Sequence, residues 1–235
     1  MAVVRFWRPA VENRMLSISN LFVQHFIKIS IKSSLLMFVV VACGKLQAAD
    51  NAEDVLALRN LLEPITGLSA QFTQQITDAD GFELESSSGL FQVSQPAKLH
   101  WQVMQPMPQQ IISDGISLWI FDPDLEQVIV QPFNQDIAAT PAILFSGDLE
   151  QLDKAYLIEK QSAGHFKLTP ERAGSLFRSM QITFVDRQPT SITLTDNLQQ
   201  TTKIDFSQLE INPPLSADQF VFQIPDGVDV INNAN

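Results

Sequence analysis

Asp114-Gly115-Ile116-Ser117-Leu118-Trp119-Ile120-Phe121-Asp122-Pro123 decides the fold. Asp-Gly and Asp-Pro are turn signals, so the run reads as a turn, a strand and a second turn. Within the strand, Ile116, Leu118 and Ile120 project to one side, and Trp119 and Phe121 to the other. A strand with one wet face carries a polar residue at every other position. This one does not, so apolar material must cover or fill both sides of its sheet.

Similar strands lie on either side. Upstream, residues 68–77 and 82–93 form a hairpin across Asp78-Ala79-Asp80-Gly81, where Asp-Gly supplies positive φ angles. Residues 99–104 end at Gln105-Pro106-Met107-Pro108, and 109–113 and 127–130 continue the meander. Strands resume over 155–161, 166–169, 176–185, 191–195 and 201–206, where Ile182, Phe184, Ile192, Leu194, Ile204 and Phe206 alternate with polar residues. Short strands at this spacing predict a mainly β fold, an antiparallel sheet curling toward a barrel. The tail, residues 212–222, reads as a loop, a helical turn and a final short strand.

Helices interrupt the strands twice. Residues 52–63 read as an amphipathic helix capped by Asp50 or Asn51, with Val55, Leu58, Leu61, Leu62 and Ile65 on one face and Pro64 ending it. Over Thr140-Pro141-Ala142-Ile143-Leu144-Phe145-Ser146-Gly147, Thr140 suits an N-cap, Pro141 the first helical position and Gly147 the position past the end. A helix this short and this apolar cannot stand alone in water. It is expected as a plug or lid on the sheet.

The first 49 residues differ in kind from the rest, with six basic residues and one acid. Lys28 and Lys32 precede the apolar run Leu35-Leu36-Met37-Phe38-Val39-Val40-Val41-Ala42, and small residues follow at Ala48-Ala49. This is the order of a secretory signal, and the apolar run is too short for a membrane span. Residues 1–49 are therefore expected to be a cleaved leader, with Met15 an alternative start, and 50–235 the working domain. That domain keeps nine basic and 25 acidic residues, a net charge of −16. Such a balance excludes the basic footprint that nucleic acid requires.

The chemistry of catalysis is absent. Cys43 is the only cysteine, and His25, His100 and His165 stand far apart. There is no HExxH, no Gly-x-Ser-x-Gly elbow and no phosphate-cradling glycine loop. Asp122, Asp124 and Glu126 flank Pro123 as a solvated turn rather than a glycosidase pair. The reading assigns no enzyme activity, no metal and no cofactor. Sixteen Phe and three Trp against one Tyr instead supply broad, stiff apolar area without hydroxyls. That composition favours binding of apolar ligands.

Several blocks occur in a recognisable order: Leu68-Ser69-Ala70-Gln71-Phe72-Thr73-Gln74, Gly89-Leu90-Phe91, Gln95-Pro96-Ala97-Lys98-Leu99-His100-Trp101, the Asp-Gly-x-x-Leu-Trp run quoted above with Glu126-Gln127, Thr140-Pro141, Phe166-Lys167-Leu168-Thr169-Pro170, and Phe220-Val221-Phe222 with Pro225-Asp226-Gly227-Val228. This order resembles the LolA family of periplasmic outer-membrane lipoprotein carriers across nearly all of residues 52–230. The resemblance implies an incomplete antiparallel β-barrel whose apolar concave face is lidded by short helices. It implies a monomer that takes lipoprotein acyl chains from an inner-membrane ABC-type exporter and hands them to an outer-membrane receptor. The residues matching the cavity are Leu68, Phe72, Leu99, Trp101, Trp119 and Phe121, with Ile143, Leu144 and Phe145 on the lid. The family typically places an Arg before the proline of the Pro-x-x-x-x-Trp block, where it latches the lid through carbonyls; Gln95 stands there in this chain, with fewer donors and no charge. Val40-Val41-Ala42-Cys43 also resembles a lipobox, which leaves open a lipidated receptor of the same pathway, or another periplasmic lipid-binding module on this fold.

Overall fold

A computed structural model describes residues 44–133, 144–145, 147–172, 174–175 and 177–233. Cys43 with its lipobox, the leader before it, and Thr140, Pro141, Ala142, Ile143 and Ser146 of the expected short helix lie outside the described residues. The first element is helix α1, Gly44–Leu62. It starts earlier than the sequence suggests, so Asp50 and Asn51 are interior residues and not caps, and Glu53 and Asp54 lie past the first turn. Lys45-Leu46-Gln47-Ala48-Ala49 are all good helix formers, which lets the helix propagate backward in the intact chain. Its end is within a residue of the predicted one: Glu63 and Pro64 follow Leu62, and the Ile65 N–H closes the turn on the Leu62 carbonyl at 2.9 Å. Leu58, Leu62 and Ile65 are buried, with Val55 and Leu61 packed beside them.

Twelve strands follow: β1 Gly67–Thr77, β2 Glu83–Ser94, β3 Lys98–Gln105, β4 Gln109–Ser113, β5 Ser117–Asp122, β6 Gln127–Pro132, β7 Tyr156–Ser162, β8 His165–Pro170, β9 Phe177–Val185, β10 Gln188–Asp196, β11 Thr201–Ile211 and β12 Asp229–Asn232. They form one sheet in the order β12-β6-β5-β4-β3-β2-β1-β11-β10-β9-β8-β7. The two long central strands β1 and β11 pair with each other and join two meanders. Its terminal strands, β12 and β7, are not neighbours, so the sheet stays open. Every pair is antiparallel except β12 on β6, which is parallel.

Local chemistry sets the turns. Between β1 and β2, Gly81 takes φ +86°, while the Asp78 carboxylate accepts the N–H groups of Asp80 and Phe82. Gly89 of β2 lies so close to β3 that a Cβ there would collide with the Gln102 carbonyl and press on the Phe72 ring. The open margin of β7 is met by α1: the Asp54 carboxylate accepts the Lys160 N–H at 2.9 Å.

Three features were not anticipated. Ile116 lies in the turn before β5 and is 78 % exposed, so it does not join Leu118 and Ile120. A second helix, α2, Leu149–Ala155, leads into β7. The final strand is not at Val221-Phe222, which has no ladder partner, but at Asp229–Asn232. The helical turn before it is present as a 3-10 turn, Ala217–Phe220, capped by Ser216, whose hydroxyl accepts the Asp218 N–H while the Gln219 side chain accepts the Ser216 N–H.

Candidate functional site

The pairing register separates the sheet's two faces. Directly paired residues of antiparallel strands share a face, and alternate residues switch face. Ala70, Phe91, Trp101, Ile111 and Ile120 are paired in succession across β1 to β5. Leu68, Val93, Leu99, Ser113 and Leu118 form the parallel row on that same side. The β1–β3 part of this inner face, Leu68, Ala70, Phe91, Val93 and Leu99 with Trp101 beside them, belongs to the main apolar core, together with Ile111 of β4, Leu58 and Leu62 of α1, Leu152 of α2, and Leu144 and Phe145.

Aromatic rings organise it. Phe91 packs edge-on to Trp101 (centroids 5.3 Å apart) and to Phe145 (6.0 Å), and stacks on Phe206 (5.5 Å). Phe72 lies 4.2 Å from Trp101. The glycine at 89 leaves the space that the Phe72 ring uses in crossing β2. Leu68, Phe72, Leu99, Leu144 and Phe145 are buried, and Trp101 is half-buried. The structure thus brings together six of the residues picked from the sequence: Leu68, Phe72, Leu99, Trp101, Leu144 and Phe145. Phe91 and Phe206, which tie them into one cluster, were not among them: Phe91 was legible in the Gly89-Leu90-Phe91 block and Phe206 as a member of an alternating strand.

Trp119 and Phe121 are elsewhere, which corrects their assignment to this cavity. Trp119 pairs with Ile112, which pairs with His100, and Phe121 pairs with Gln110 and Val128. These residues are offset by one from the Trp101 row, so they face the opposite side. There the C-terminal arm packs against Phe121: Phe220 is buried, and the Phe222 ring lies 5.3 Å from that of Phe121. β5 thus has apolar residues on both sides, with Leu118 buried on the inner face and Phe121 against Phe222 on the outer. His100 shares the outer face; both ring nitrogens are buried with no hydrogen-bond partner among the described residues, and burial pushes its pKa below the usual imidazole value.

Polar contacts hold the inner cover at its margins. Gln95, in the β2–β3 turn, donates from Nε2 to the Ile65 carbonyl at 2.7 Å. Its side chain also abuts Gly147 (φ +89°), where an added Cβ would lie 2.8 Å from Gln95 Cδ and Oε1. Gln95 is therefore wedged between the α1–β1 turn and Gly147. Arg59 of α1 pairs with Asp153 of α2 at 2.7 Å, and Arg187 donates to the Asn60 carbonyl at 2.8 Å. Desolvation raises the Asp153 pKa in spite of the opposing pull of Arg59. Among the described residues no group of His, Cys, Asp or Glu is placed to hold a metal ion.

An open half-barrel with a dry inner face, closed by segments of its own chain, defines an apolar-ligand binding protein of the lidded half-barrel class. The family model for the outer membrane lipoprotein carrier protein LolA matches residues 63–223. An outer-membrane lipoprotein carrier protein of Chromohalobacter salexigens is 40 % identical over 177 residues, 74 % of this chain and 84 % of the relative. One from Hahella chejuensis is 38 % identical over 189 residues, 78 % of this chain and 90 % of the relative. Among solved structures, a LolA superfamily protein from Nitrosomonas europaea aligns at TM-score 0.44 and 12 % identity, covering 74 % of this chain and 98 % of its own. This chain belongs to the LolA family.

Proposed function

We propose that this protein is a carrier that shelters lipoprotein acyl chains in the periplasm, without catalytic activity. The observation that carries the reading is the inner aromatic cluster closed by Leu144, Phe145 and α1 rather than by the sheet itself. Burying an acyl chain is worth ~0.8 kcal/mol per CH₂, so a chain of about 16 carbons costs on the order of 10 kcal/mol to expose. A carrier must shield such a chain and still let it go. Cover and cargo competing for one apolar surface achieve this, because each displaces the other.

In this reading Leu68, Phe72, Leu99 and Trp101 contact cargo once Leu144 and Phe145 swing away, and Gln95 holds the empty state shut. Trp119 and Phe121 are outside the set, on the opposite face. Residues 1–49 are the leader and 50–235 the carrier domain. The protein acts as a monomer between an inner-membrane ABC-type exporter and an outer-membrane receptor. Relatives named as carriers of outer-membrane lipoproteins support this, as does the signal-like order of charge and hydropathy. The test is photo-crosslinking from position 101 while newly made lipoproteins are released from spheroplasts. Adducts to acyl chains are expected there; adducts formed equally from position 121 would overturn the assignment of faces.

A further inference from the structure

One end of the sheet gathers the turns β1–β2, β3–β4, β5–β6 and β10–β11, as the pairings of Thr77 with Glu83 and Thr201, Val103 with Gln109, and Asp122 with Gln127 require. That end carries Phe82, Leu84, Met104, Met107, Leu125 and Leu198, each between 42 % and 71 % exposed. Water-facing apolar side chains this large, on successive turns, are a feature of interaction surfaces rather than of a solvated rim.

Three of these turns share one construction. Asp78 Oδ1 accepts the Phe82 N–H at 2.9 Å, Asp122 Oδ1 the Leu125 N–H at 3.1 Å, and Asp196 Oδ1 the Leu198 N–H at 2.8 Å. Each outward apolar residue is thus fixed through its own backbone by the turn's carboxylate. Rigid presentation reduces the ordering cost of docking. Around them stand Asp80, Glu83, Glu85, Asp124 and Glu126, and the stretches 78–85, 104–109, 122–127 and 196–200 contain no lysine or arginine; the β8–β9 turn at the same end, joined to β10–β11 where Asn197 donates to the Ser175 carbonyl, adds Arg172 beside Glu171, so the balance stays strongly acidic. An anionic bilayer would be repelled by this end. A protein surface with apolar side chains framed by Lys and Arg would fit it in both hydropathy and charge.

We propose that this acidic, apolar end is the docking surface for a membrane-anchored protein of basic and apolar face that gives up or receives the cargo. The proposal rests on the carrier reading and adds the surface and the chemistry of its partner. Two double variants test it, Phe82→Ser with Leu198→Ser and Asp80→Lys with Asp124→Lys. Each is measured for lipoprotein release from spheroplasts, for delivery to outer-membrane vesicles, and for binding of a fluorescent acyl probe. Both variants are expected to bind the probe as wild type does and to slow at least one transfer leg about tenfold, and the charge variant to lose the salt dependence of that leg. Wild-type rates in both legs would overturn the proposal, as would wild-type binding to protein-free anionic vesicles that the variants lose. Loss of probe binding in the serine pair moves the test to Leu198→Ser alone, where a wild-type rate in both legs overturns it. Failure of the wild type to bind the acyl probe would instead sink the carrier reading.

Discussion

Replacing Gln95 with Ala removes the 2.7 Å bond to the Ile65 carbonyl and the side chain packed on Gly147. A net intramolecular hydrogen bond is worth about 1 kcal/mol, or roughly a fivefold shift in an equilibrium constant. The bond links the α1–β1 turn to the β2–β3 turn, so the shift falls on closure of the inner cover rather than on the strand ladders. If the empty protein is mostly closed, the population able to admit a ligand rises by that same factor, and apparent affinity rises with it. Hydrogen exchange in α2 and in the segment ending at Gly147 should quicken about fivefold, and a fluorescent fatty-acyl probe should bind about fivefold more tightly. Global melting should drop by only about 2–4 °C for a domain of this size. Gln95→Arg should act in reverse, since guanidinium offers five donors and carries a charge. Unchanged exchange at α2 with unchanged probe affinity, or tighter binding in the Arg variant, would refute the latch.

Other residues give equally sharp tests. Because burial lowers the His100 pKa, the unfolded chain takes up a proton first as pH falls through 6.5, and stability drops, by up to about 1.4 kcal/mol for each pH unit between the unfolded and folded values. His100→Leu should flatten the stability profile between about pH 7.5 and 5.5, read by urea melts; a profile parallel to wild type would contradict it. Gly89→Ala meets the Gln102 carbonyl and should cost several kcal/mol, seen as lost soluble expression, whereas Gly81→Ala meets only its φ of +86° and should cost about 1 kcal/mol in a thermal melt. Phe91→Ala removes the ring shared by Trp101, Phe145 and Phe206 and should lower unfolding free energy by about 3–5 kcal/mol in urea titration.

Strand positions were legible because turn chemistry punctuates them: Gln109–Ser113 lies where its flanking prolines and Asp-Gly predict. The apolar residues of β5 do fall on both faces, with Leu118 buried on one and Phe121 against Phe222 on the other. Which cover lies on which face was not legible. Trp101 and Trp119 differ in side because of register across two intervening pairings, and a one-residue offset in any ladder would exchange them. The strand Asp229–Asn232 has no alternation of its own strength and exists through its partner β6. The start of α1 misled for a related reason: Asp50 and Asn51 are good caps, yet the residues before them continue the helix. Gln95 was identified through its neighbours in the resembling block, while the carbonyl it holds came only from the folded chain.

The carboxylate of Asp54 on the Lys160 N–H gives α1 a second duty. β7 ends the sheet, and a bare strand margin invites pairing with another molecule. The helix that packs into the core is therefore also the guard that keeps two copies from zipping together. A variant with a loosened α1 would bare that margin and adhere to itself, visible as filaments or dimers that grow with protein concentration.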